Sequence, residues 1–67
     1  MDTNKIITCV AKKISNIYKL DEEKAIKLIM NSTFKKLLND GDFEIIHYYT
    51  YRQWADEIYQ EYLEDNK

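Results

Sequence analysis

The chain has 67 residues, 45% hydrophobic and 13% aromatic, with one cysteine, one histidine and a formal net charge of −2. That composition is one small domain: too apolar to remain disordered, and too poor in cysteine and histidine for a disulfide framework or a closed zinc site. No run approaches the ~18 apolar residues of a membrane span, and Met1 to Lys5 lead into no signal-peptide pattern, so the expectation is a reduced, cytoplasmic domain with no cofactor and no membrane contact.

Zero prolines and one glycine argue against a β-sandwich or barrel, whose tight turns draw on both residues. The predicted fold is all-α. We expect a compact bundle of three main helices over residues 1–67, with one or two short helical turns between the second and the last.

The first helix is predicted from about Asn4 to Lys19. Ile6, Val10, Ile14 and Ile17 recur at helical spacing, widened by Ile7, Ala11 and Tyr18, with Lys5, Lys12, Asn16 and Lys19 opposite. Thr3 or Asp2 would cap its start. Asp21 reads as the N-cap of a second helix from Glu22 to about Asn31, with acids at the positive end of the helix dipole. Its expected buried face is Ala25, Ile26, Ile29 and Met30. Ser32 would cap a short helix carrying Phe34, Leu37 and Leu38, closed at Gly41, the one residue that adopts a left-handed cap without penalty.

Phe43 to Tyr49 is ambiguous. Phe43, Ile45, His47 and Tyr49 alternate like a strand, whereas Phe43, Ile46 and Tyr49 share a helical face. A lone strand has nothing to pair with, which favours a short helix or an irregular linker. Thr50 and Gln53 then form a capping box for a last helix from Tyr51 to about Glu64.

Charge divides along the chain. Residues 1–36 hold eight lysines against four acids, a balance of +4, while residues 37–67 hold Arg52 and Lys67 against eight acids, a balance of −6. The two readings are scatter over solvated helix faces and a bipolar surface whose halves attract different partners.

Chemistry finds little support. A Cys9–His47 pair would need both a close approach and an electropositive setting for the thiol, and Cys9 reads better as a small hydrophobe beside Val10. The paired acids Glu22-Glu23, Asp56-Glu57 and Glu64-Asp65 lie side by side instead of facing across a cleft, and no phosphate or Ca²⁺ loop is present. Lys24, Lys27, Lys35 and Lys36 could touch phosphates, but the turn Phe34–Leu38 lacks the Arg, Asn or Gln that reads base edges, and the pI is 5.3.

The most informative stretch is the last third, where five of six tyrosines and the only tryptophan fall within fifteen residues. On the last helix Tyr51, Trp54, Ala55, Ile58, Tyr59, Tyr62 and Leu63 cover about half the circumference, wider than the ~100° a core-facing helix needs. Ile58 sits at the centre of that arc. Part of it should remain exposed, with Trp54 or Tyr62 solvent-facing and available as a binding anchor.

The layout resembles a family of short bacterial domains of unassigned function, often encoded beside ADP-ribosyltransferase-like toxin genes. The resemblance rests on Ile6-Ile7-Thr8-Cys9-Val10, on Leu20-Asp21-Glu22-Glu23-Lys24-Ala25, on Ile46-His47-Tyr48-Tyr49-Thr50 and on Asp56-Glu57-Ile58-Tyr59. Phe43 stands where that family usually has a tyrosine ahead of the histidine. The resemblance implies a small helical partner protein, antitoxin-like, with no catalytic residues.

The expected function is therefore non-catalytic protein–protein interaction with a toxin or enzyme. Tyr51, Trp54, Tyr59 and Tyr62 are the expected anchors, and Asp56, Glu57 and Glu61 supply charge complementarity. The alternative is related to nucleic acid: a Lys-rich half that binds phosphates, or an acidic tail that mimics them as phage-encoded inhibitors do. The oligomeric state, a homodimer included, is left open by the sequence.

Overall fold

A computed structural model describes residues 3–65, which form five α-helices: α1 Thr3–Tyr18, α2 Glu22–Met30, α3 Thr33–Asp40, α4 Phe43–Tyr48 and α5 Tyr51–Asp65. The described residues contain no strand, and the ambiguous segment is helical from Phe43 to Tyr48. The expectation of three main helices needs correction. At eight residues α3 is one shorter than α2, and it buries Phe34 and Leu38 at i, i+4 as an ordinary helix does.

Local capping explains most of the boundaries. Ser32 Oγ accepts a hydrogen bond from the Lys35 amide at 3.4 Å and donates to the Ile29 carbonyl at 2.6 Å, stitching the end of α2 to the start of α3. Gly41 ends α3 at φ 75°, in the left-handed region, with its amide bonded to the Leu38 carbonyl. The Thr50–Gln53 capping box forms in both directions: the Gln53 amide donates to Thr50 Oγ1 at 3.1 Å, and the Thr50 amide donates to Gln53 Oε1 at 2.8 Å.

One capping expectation turns out differently. Asp21 occupies the N-cap of α2 with extended backbone, but its side chain makes no cap hydrogen bond. Its contribution is through charge, beside Glu22 and Glu23 at the positive end of the dipole. Thr3 lies inside α1, and Asp2 is outside the described residues. At the other end, α1 stops where Lys19 adopts φ 57°, a conformation that costs a side-chain-bearing residue about 1 kcal/mol. Ser15 Oγ donates to the Leu20 carbonyl at 2.6 Å and holds that turn.

Helix α1 packs against both α2 and α5, and α5 also meets α2 and α3. The core runs through Ile6, Val10, Ala11 and Ile14 of α1, Ala25, Leu28 and Ile29 of α2, Phe34 and Leu38 of α3, Ile46 of α4, and Trp54, Ala55 and Ile58 of α5. The radius of gyration is 10.9 Å, the ~11 Å expected of a close-packed chain this long. On α2 the buried stripe is Ala25, Leu28 and Ile29, and the expected Ile26 and Met30 are exposed, Met30 to 50%. They lie one residue around the helix from Ala25 and Ile29, outside the buried stripe.

Candidate functional site

The seven residues expected to form a partner surface on α5 are mostly engaged within the molecule. Trp54 is 8% exposed. Its indole N–H donates to the Ile46 carbonyl at 2.8 Å, and its ring meets Phe34 at 4.8 Å and Tyr49 at 5.2 Å between centroids. Tyr51 is half-buried against the core.

Tyr59 and Asp56 join α5 to α1. The Tyr59 ring stacks on Tyr18 with centroids 3.8 Å apart and planes 10° from parallel. The Tyr18 hydroxyl donates to Asp56 Oδ1 at 2.6 Å. That bond to a carboxylate, with partial burial and the nearby negative charge adding to it, pushes the Tyr18 phenol up from 10.0 to about 12.

Glu61 and Tyr62 join α5 to the other side of the bundle. The Thr33 amide donates to both Glu61 carboxylate oxygens at 3.0 and 3.2 Å, and the Thr33 hydroxyl donates to Oε1 at 3.0 Å. Glu61 thus caps the first turn of α3 from another helix, satisfying an amide that has no partner within its own helix. The Lys24 ammonium lies 5.4 Å from the Tyr62 ring centroid, a cation–π contact. Glu61, Tyr62 and Lys24 border a groove of about 320 Å³ with Lys27, Leu28 and Ile58. Of the seven, Glu57 is the one whose side chain is exposed.

Neither Trp54 nor Tyr62 is solvent-facing: one is buried, the other half-buried. Most of the half-circumference of apolar surface on α5 is absorbed because three helices, α1, α2 and α3, pack around it, and the part that stays exposed, as expected, is Leu63 at 42%. Exposed aromatic surface lies instead at the corner where α4 turns into α5. Tyr48 is 81% exposed, Ile45 46% and Tyr49 42%. Glu44, Ile45, Tyr48 and Tyr49 enclose a depression of about 300 Å³. The Tyr48 and Tyr49 rings meet edge to face, 5.1 Å apart at 76°.

The sequence held a signal for this corner. Ile45-Ile46 and Tyr48-Tyr49 are adjacent apolar pairs, and neighbours on a helix point ~100° apart. A six-residue helix that seats Ile46 fully in the core must turn Ile45 outward.

Neither Cys9, half-buried on α1, nor His47, exposed on α4, belongs to a metal-binding group, for no cluster of three or more His, Cys, Asp or Glu suited to a metal exists among the described residues. No buried side-chain nitrogen or oxygen among them lacks a hydrogen-bond partner. No described helix is long and apolar enough to cross a membrane. Compared with protein-family models, with curated proteins and with solved structures, the chain shows no match.

Proposed function

We propose that this chain is a non-catalytic protein-interaction module that engages its partner through the α4–α5 corner, with Ile45, Tyr48 and Tyr49 as anchors. One observation carries the reading: a domain that puts nearly every other aromatic to internal use leaves Tyr48 81% exposed beside Ile45 and Tyr49. Tyrosine offers large contact area at low entropic cost, and clusters of this kind are where binding energy concentrates. Contact through the middle of α5 would compete with the bonds Asp56 and Glu61 already make.

The resemblance to toxin-associated domains suggests the occupant, a toxin or enzyme whose surface the module would cover in an antitoxin-like role. The lone cysteine suits a reducing, cytoplasmic compartment.

The test places a photo-crosslinking amino acid at position 48 and, as control, at the exposed Gln60 of α5. Position 48 should trap one defined host protein that position 60 does not. Equal labelling from both positions, or from neither, would remove the corner from consideration.

A further inference from the structure

The corner has the chemistry of a receptor for an organic cation. Tyr48 and Tyr49 stand 76° apart, so they form two walls of an angle instead of a flat stack. Tyr49 also meets the Trp54 ring at a steep angle, 5.2 Å away, and Trp54 is itself pinned to the Ile46 carbonyl. The angle is therefore built on a fixed residue of the core. Glu44 precedes Tyr48 by one helical turn and lines the same depression, as does Ile45.

Two phenol faces at a steep angle, with a carboxylate beside them, attract a cation through the ring quadrupole and through charge. The surrounding chain reinforces this sign: between Lys36 and Lys67, Arg52 is the only Lys or Arg and stands against eight acids. The molecule already uses the same chemistry internally, where the Lys24 ammonium lies over the Tyr62 ring.

We propose that the Tyr48–Tyr49 corner receives an arginine side chain from a basic segment of the protein partner. Guanidinium is planar and weakly hydrated, so it stacks on one phenol face while its N–H groups reach the Glu44 carboxylate. The proposal rests on the interaction-module reading and names the chemistry of its partner.

The test titrates the full chain with a capped hexa-arginine peptide and follows the tyrosine ring and backbone signals by NMR. A hexa-citrulline peptide, of the same shape without charge, serves as control. The arginine peptide should shift the Tyr48 and Tyr49 ring signals and the Glu44 amide, and citrulline should bind about tenfold more weakly or not at all. Tyr48→Ala should weaken the arginine peptide about fivefold and Glu44→Gln about threefold, whereas Tyr48→Phe, which keeps the ring face, should bind as the parent does. Glu64→Gln, an exposed acid near the end of α5, should leave binding unchanged.

If Tyr48→Ala binds like the parent, or Glu64→Gln loses as much as Glu44→Gln, the attraction is a diffuse acidic field and the proposal falls. It falls equally if short duplex DNA moves the same ring signals and the arginine peptide does not. Position-48 crosslinking keeps the two readings apart. Capture of a defined protein whose contact segment lacks arginine and lysine overturns the cation receptor and leaves the module standing. Arginine selectivity that depends on Tyr48 and Glu44, without any defined crosslinked protein, removes the module and with it the proposal that the arginine comes from a protein partner.

Discussion

Helix α5 and the α4–α5 corner are built from the same residue types and do opposite things with them. On α5, Trp54 is hydrogen-bonded and ringed by aromatics, Tyr59 lies flat on Tyr18, and Tyr62 carries Lys24. At the corner, Tyr48 touches Tyr49 at its edge and otherwise faces outward. The difference is not hydrophobicity but the number of neighbouring elements. Three helices pack on α5, whereas α4 packs chiefly against α3. An aromatic side chain becomes core where other helices surround it and surface where they run out.

The contrast is broken most directly at its buried end. Trp54→Ala should cost about 4 kcal/mol and Ile58→Ala about 3 kcal/mol, the range for large core side chains cut to a methyl group. Denaturant unfolding measures both. A loss below about 1 kcal/mol at Trp54 would mean that α5 is not held as described, and the comparison would collapse.

A smaller effect belongs to the clasp between α1 and α5. Tyr18→Phe should cost about 1 kcal/mol, below the usual worth of a hydrogen bond to a charged group because the pair is partly solvated. It also carries a pH signature. The folded Tyr18 pKa, about 12, lies above its unfolded value near 10.0, so the clasp contributes fully below pH 10 and its contribution is lost as pH rises towards 12. Unfolding of parent and Tyr18→Phe should differ at pH 8 and converge towards pH 12. A constant difference across that window would show that the hydroxyl bond is not the stabilising element.

Glu61→Ala should cost about 0.5–1 kcal/mol, the lower part of the range for a lost helix cap, since Thr33 is exposed and water can take the vacated amide. Hydrogen exchange at the Thr33 amide should rise well before global stability changes. At the exposed end of the comparison, Tyr48→Ala should shift stability by less than about 0.5 kcal/mol, as surface changes do. Paired thermal melts with Tyr48→Ala and Trp54→Ala test the distinction in one experiment.

Much of the architecture is legible in the residues themselves. The α1 stripe of Ile6, Val10 and Ile14 buries as its spacing dictates, Ser32 and Gly41 bracket α3, and Thr50 with Gln53 opens α5. These features are set by interactions within a turn or two, where side-chain periodicity and capping chemistry leave few options. The absence of proline and the single glycine likewise confine the chain to helices.

The placement of exposed surface is a different matter. A helical wheel gives the width of an apolar arc but not how many helices will cover it, so α5 looks too apolar to bury and is mostly covered, with Leu63 left exposed. Ile26 and Met30 read as core on α2 and lie outside it because the face chosen was one residue around from the stripe of Ala25, Leu28 and Ile29 that the bundle buries. The roles of Asp56 and Glu61 depend on Tyr18 and Thr33, which lie 38 and 28 residues away along the chain. No local pattern couples positions so far apart. The sequence by itself determined α1, α2, α3 and α5 and nearly where they start and stop, because those energies are local, while α4 stayed ambiguous until Ile46 found its place in the core. Which aromatic faces meet water, and which acids are already spoken for, was decided only when five helices packed together and their mutual shielding chose among surfaces of nearly equal hydrophobicity.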